Sequence, residues 1–364
     1  MRRLGAILLT CLLLALPVRA LDVEGELASL TGADALEDGL NEAQRALLAG
    51  AETDSPKGFF SAVQQLLRRA LLHGGGYARE AAGSCALLLA VCLACGLCGS
   101  LEQSPPVQTV RIGGTLAAAA ISAGSVTSLL RLGAETVQDL SAYGALLLPV
   151  LSASAAAAGA VTGGSVLGAL TVLLTDVLMG LVSKCLLPLL GAFLAMSLAD
   201  CLLGNQMLRR VRDLLAWAVR TGLKAALYGF TGFLAVTQVI TGAADAAVNK
   251  AAKLTLSGAV PVVGSILSDA SETLLASAAV LRSSVGVFGM LAVLALCLLP
   301  FLRIGVHYLA LRVTAAAAGA VAQEAVVSMI DAAAEAMGLL LAMTGACALL
   351  LLISAACAMK AVGA

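Results

Sequence analysis

The sequence predicts an all-α, polytopic helical membrane protein, and three observations predict it. Apolar residues make up 60% of the 364 and charged residues only 12%, against about 45–50% and about 25% in soluble domains. Mean hydropathy is +0.99. Long apolar segments recur after residue 80: Ala81–Leu101, Ile112–Leu130, Leu140–Val161 and Met337–Met359 each approach the 20 or so residues that cross a hydrocarbon core of about 30 Å. Formal net charge is +0 and aromatic residues amount to 3%. With neither a basic surplus nor stacking platforms, nucleic acid is not an expected partner.

At the amino terminus, Arg2 and Arg3 precede the apolar run Leu4–Leu16, and Pro17-Val18-Arg19-Ala20 offers small residues where a signal peptidase cuts. Residues 1–20 therefore read as a cleavable signal peptide, with an uncleaved anchor as the alternative. Residues 21–80 read as an extracytoplasmic stretch. It is acidic up to Asp54, where Arg45 is the one base, and acid contributes little to retention. Phe59, Val63, Leu66, Ala70 and Leu71 then recur at helical spacing with Gln64, Gln65, Arg68 and Arg69 between them. That pattern predicts an amphipathic helix on a membrane surface or against a partner, ended by Gly74-Gly75-Gly76.

Residues 81–242 read as a membrane domain. A span at 81–101 runs inward, 112–130 returns, and Arg131–Asp139 forms an external connector. Segments at 140–161, 166–183 and 185–203 follow, joined only by Thr162-Gly163-Gly164 and by Lys184, links so short that broken helices are as expected as ideal spans. Pro149 and Pro188 should kink the segments that hold them. Arg209, Arg210 and Arg212 form the densest positive cluster, in a loop near 204–216 that should remain cytoplasmic. A span at 218–242 leads to residues 243–284, where charges interleave with apolar positions around Pro261 as in an extracytoplasmic amphipathic hairpin. Residues 285–364 hold the C-terminal membrane segments, with Arg303, His307 and Arg312 inside and an ambiguous stretch from Thr314 to Glu335. The expected total is about seven or eight transmembrane segments.

Few constellations could carry chemistry. Asp176, Lys184 and Asp200 are charges in or beside apolar segments, where an unpaired charge costs at least about 2.5–3.5 kcal/mol. They read either as an ion or substrate path or as groups held by neighbours and interfaces. Cys92-x-x-Cys95-x-x-Cys98 fans its thiols around a helix, and no histidine lies near in sequence to complete a tetrahedral site. It reads as small-residue packing. Only His73 and His307 are available as bases, and no G-x-S-x-G or H-E-x-x-H pattern occurs. Neither an enzyme nor a cofactor or metal site is expected.

The most specific run is Lys253, Gly258-Ala-Val-Pro-Val-Val-Gly264, Asp269-Ala-Ser-Glu-Thr273 and Arg282-Ser-Ser-Val-Gly286. It resembles the stage III sporulation protein AE family of endospore-forming bacteria, and the order of parts along most of the chain is similar too. The resemblance implies a non-enzymatic component of the secretion-like channel between mother cell and forespore, multi-pass in the mother-cell-derived membrane. It further implies partners among the other stage III proteins and their cytoplasmic ATPase. Pro261 can fix a bend, Gly264 can permit close approach, and Asp269, Glu272 and Thr273 can present polar groups. These five residues form a candidate docking motif, with a self-contained external cap as the alternative. A stand-alone secondary transporter of a small solute, using Asp176 beside broken helices, is the competing function.

Overall fold

The computed structural model describes Leu36 and residues 39–48, 56–100, 105–157, 164–259, 264–320, 322 and 324–360. Every regular element among them is helical: α1 (Glu42–Leu48), α2 (Pro56–Ser100), α3 (Pro105–Ala157), α4 (Gly164–Leu181), a π turn (Val182–Leu186), α5 (Leu187–Leu203), α6 (Gln206–Ala259), α7 (Gly264–Ala318) and α8 (Glu324–Lys360). The predicted leader and most of the acidic stretch lie outside the described residues.

The helices are longer and fewer than hydropathy predicts. The expected connector Arg131–Asp139 is continuous helix inside α3, and Lys184 is no loop but part of the π turn that joins α4 to α5 without interruption. Charged residues broke the apolar windows without breaking the backbone, because Arg131 and Glu135 are i, i+4 partners at 3.3 Å and sustain a helix. Gly74-Gly75-Gly76 does not end α2 either. Glycine lowers helix propensity by about 1 kcal/mol per residue, yet Tyr77 and Glu80 just beyond it dock on Arg303 and hold the next turn in place. Among the described residues five stretches are long and apolar enough to cross a membrane: Ser61–Ala94, Leu116–Ser154, Leu170–Cys201, Ser284–Ala318 and Val326–Ala356.

Close contacts set the register. Gly133 packs on Leu340 and Gly144 on Leu351, the same step along both chains, so α3 and α8 run parallel. Gly338 meets Tyr308 and Gly345 meets Phe301, which makes α7 antiparallel to α8. Gly222 against Leu186 pairs α6 with the π turn, and the Thr175 and Ser354 hydroxyls stand 3.4 Å apart between α4 and α8. Near the middle of the bundle α8 is almost wholly buried: Ala336, Met337, Leu340, Met343, Thr344 and Cys347 have no exposed surface.

Counted from these contacts, Arg131, Glu135, Lys184, Arg220, Lys224, Arg303 and Glu80 fall in one transverse zone, level with about one helical stretch of α8 from Glu335 to Ala346. Beyond this girdle lies an apolar layer of α3 from 140, α4, α7 over 285–302 and the end of α8. It is about 27 Å deep at about 1.5 Å per residue. The apolar runs 81–101 and 112–130 lie on the other side of the girdle, toward the Arg209 end. They therefore do not share a layer with 140–157, 166–183, 285–302 and 337–359, as the expected span map requires.

Candidate functional site

The polar groups converge where the α5–α6 and α7–α8 turns meet. Helix α5 ends on Gly204, whose φ of 62° is left-handed and open to glycine at no steric cost, and whose N–H donates to the Asp200 carbonyl at 2.7 Å. Asn205 then caps α6, its Oδ1 accepting from the Met207 N–H at 3.0 Å. This two-residue reversal brings the last turn of α5 against the first turns of α6. The arginines predicted in a loop stand on helix α6 as a result.

Asp200, 3% exposed, accepts from Arg212 Nη1 at 3.2 Å and pairs with Arg209 Nε at 3.5 Å, both through Oδ2. Arg212 also donates from Nε and Nη2 to Asp213 at 3.1 and 2.9 Å. The buried Oδ1 of Asp200 has no hydrogen-bond partner among the described residues. It lines a cavity of about 370 Å³ with Cys201, Gly204, Arg209, Arg212, Glu324 and Ser328. A neighbouring cavity of about 510 Å³ shares Arg212, Glu324 and Ser328 and adds Arg312, Asp331 and Glu335. Arg312 donates to Asp331 at 3.3 Å, and Arg220 of α6 is hydrogen-bonded to Glu335 of α8. The stretch from Thr314 to Glu335, ambiguous in sequence, is thus the α7–α8 hairpin end, and its acids hold the arginines of α6 and α7.

Asp200, Arg209 and Arg212 were separate expectations, one as an intramembrane charge and two as a topology marker, and the fold joins them. Arg210 is exposed and makes no ion pair among the described residues. Asp176 and Lys184 do not join the cluster. They lie on the same helical path as Asp200, about 36 Å and about 24 Å away along its axis at about 1.5 Å per residue, so the three cannot form one compact site. Asp176 instead borders a cavity of about 440 Å³ with Ser141, Pro149, Ser152, Thr175 and Met179. Pro149 lies within α3 and lacks the N–H that a helix interior uses.

Two pairs were missed in sequence. Arg303 Nη2 donates to Glu80 at 2.7 Å and its guanidinium lies 5.7 Å from the Tyr77 ring centroid. The hydropathy map placed Glu80 outside and Arg303 inside, and one contact cannot span both. The map therefore shifts, with Glu80 level with Arg303. His307 is 5% exposed and its Nδ1 donates to the Arg303 carbonyl at 2.9 Å, which consumes the ring proton locally. Pro261 lies outside the described residues. Gly264, Asp269, Glu272 and Thr273 open α7, where the backbone is helical and the side chains lie outside the described set. Of the three spaced thiols, only Cys92 has a described side chain, and it is buried.

Fold and site together define an all-helical bundle with helices of membrane-crossing length and polar chemistry organised as ion pairs between hairpins. The family model described as Stage III sporulation protein AE (spore_III_AE) matches residues 82–362, and the chain belongs to that family. A protein of Bacillus subtilis (strain 168) named Stage III sporulation protein AE is 20% identical over 170 residues, which cover 47% of this chain and 43% of that one. The match therefore spans less than half the length of that relative. No solved structure matches the chain.

Proposed function

We propose that this protein is a non-enzymatic, multi-pass membrane component of the sporulation channel between mother cell and forespore, required for endospore formation. Family membership supports the sporulation role. The observation that carries the channel reading is on α2: Gln64, Gln65 and Arg68 point outward about 18–24 Å beyond Glu80 along the helix, level with the apolar part of α7. In a bilayer, polar and ionisable groups at such a depth face water or protein, not lipid.

In this reading the apolar layer beyond the girdle occupies the bilayer, whose core of about 30 Å it matches. The Arg209 end is cytoplasmic and open to an ATPase partner. The turn between α6 and α7 is extracytoplasmic, where Pro261, Gly264, Asp269, Glu272 and Thr273 dock other stage III proteins. Cysteines placed singly at Gln64 and Gln65 test the aqueous face: both should react with a membrane-impermeant thiol reagent in intact vesicles. Protection of both, with Arg210→Cys labelled as a control from the cytoplasmic side, would remove the channel reading.

A second reading has one specific observation in its favour. The cavity holding Asp176 beside Pro149 suits a secondary transporter site. Solute uptake by vesicles holding this protein alone, abolished by Asp176→Asn, would establish it, and absence of uptake would leave the channel component.

A further inference from the structure

We propose that the cavity beside Asp176 binds a small organic monocation, a protonated amine that carries an apolar body. The inference deepens the transporter reading of that cavity by naming its ligand, and it rests on the membrane placement above. Asp176 lies about 12 Å along the helix axis from Lys184 of the girdle, in an apolar layer about 27 Å deep at about 1.5 Å per residue. Its carboxylate therefore stands near mid-depth, where an ionised group is costly unless a cation or water meets it.

The surrounding helices supply no cation. Helix α4 packs chiefly on α3, the π turn, α6 and α8. The contacts Gly144–Leu351 and Thr175–Ser354 fix the turns of α3 and α8 that stand level with Asp176, and Leu178, Phe230 and Leu350 share one buried cluster that fixes the level of α6. Residues 140–157 of α3, 164–181 of α4, 225–236 of α6, 285–302 of α7 and 345–356 of α8 contain no Lys, Arg or His. Arg68 of α2 stands at a similar depth but forms no ion pair with Asp176. The negative charge is left facing the cavity that Asp176 lines.

The walls select the class of cation. The cavity holds about 440 Å³, within the size range of sites for small organic molecules, and Leu148, Val172, Leu173, Met179 and Leu351 give it apolar sides. Its polar atoms are largely acceptors. Ser152 Oγ donates to the Pro149 carbonyl and Thr175 Oγ1 to the Thr171 carbonyl, each at 2.8 Å, so both hydroxyl protons are spent on the backbone. Pro149 has no N–H to offer the Ala145 carbonyl one turn earlier, and Ala145 lines the same cavity. A carboxylate, hydroxyl oxygens and a released carbonyl suit the N–H donors of an ammonium group. One carboxylate balances one positive charge, whereas a divalent ion would leave excess charge in the apolar layer. A bare alkali ion would leave most of the volume to water held against apolar side chains.

The test measures binding of radiolabelled benzylamine, protonated at neutral pH, to the full-length protein in lipid nanodiscs, with empty nanodiscs subtracted. Binding should saturate at one site per chain. Asp176→Asn should weaken it at least tenfold, with the unfolding temperature not lowered. Ala145→Phe keeps the carboxylate and fills the cavity from an exposed position. It should weaken binding similarly, and it keeps the test decisive if the Asn variant does not fold. Benzyltrimethylammonium, which has the same charge and ring but no N–H, should compete at least tenfold less well than unlabelled benzylamine. Benzyl alcohol and sodium chloride at the same concentration should not compete. No saturable binding by wild type, unchanged affinity in either variant, equal competition by the trimethylated compound, or displacement by benzyl alcohol or sodium ions would overturn the proposal. Vesicle uptake of the same amine separates the site from the transporter reading. Binding without uptake would remove the transporter and leave the site, whereas uptake without binding that depends on Asp176 would remove the site.

Discussion

Asp200 shows what a single buried carboxylate demands of its surroundings. It is 3% exposed, and Arg212, its better partner, is itself only 17% exposed, so little water is present to replace the guanidinium. Removing one partner of a buried pair costs roughly 3–5 kcal/mol, and Arg212→Ala should lower stability by about that much in denaturant titrations of the micellar protein. Asp200→Asn in that background should recover part of the loss, because the stranded charge is gone. Gly133 makes the opposite demand, for absence of bulk. A Cβ there would lie 2.5 Å from Leu340 Cδ1 and 2.9 Å from its Cγ. Gly133→Leu should therefore destabilise by about 1–3 kcal/mol, whereas Gly191→Ala, with nothing within 4 Å of its Cβ, should be neutral or slightly stabilising in the same thermal scan. The sequence marked Asp200 as a charge in need of a partner but could not say which, since Arg209 and Arg212 reach it only through the left-handed turn at Gly204.

At the scale of elements, the π turn Val182–Leu186 keeps α4 and α5 on one path while accommodating an extra residue. Deleting Ser183 should convert it to an ordinary α turn and leave both flanking faces in place. Deleting Ala192 within α5 should instead rotate Asp200 by about 100° from its arginines, given about 3.6 residues per turn. Proteolytic resistance of the purified variants would check this: the Ser183 deletion should match wild type and the Ala192 deletion should be cut rapidly. The existence and apolar character of the long helices were legible from periodicity and hydropathy. Their lengths were not, because a hydropathy window stops at a charge such as Arg131 or Lys184, whereas a backbone helix continues through it when side chains pair locally or reach solvent.

Across the whole molecule, the register makes a prediction that the span map did not. Glu80 and Arg303 share one level, so cysteines at the exposed neighbours Arg79 and Arg312 should label from the same side of a vesicle as Arg210→Cys. Labelling of Arg79→Cys from the opposite side would contradict the α2–α7 register. The sequence by itself determined that this chain is apolar and helical: 12% charged residues cannot cover a soluble surface of this size, and apolar runs of about 20 residues match helices that cross a membrane. The Pro261-Val-Val-Gly264 and Asp269–Thr273 block was enough to indicate its family. Tertiary structure alone decided that the charges form one girdle and one ion-paired end, that Asp200 belongs with Arg212, and that two of the apolar runs lie outside the principal layer. The physical reason is that hydropathy measures how each segment prefers to be solvated, whereas the height at which a segment stands is set by helix packing at glycine contacts such as Gly133–Leu340, between residues far apart in the chain.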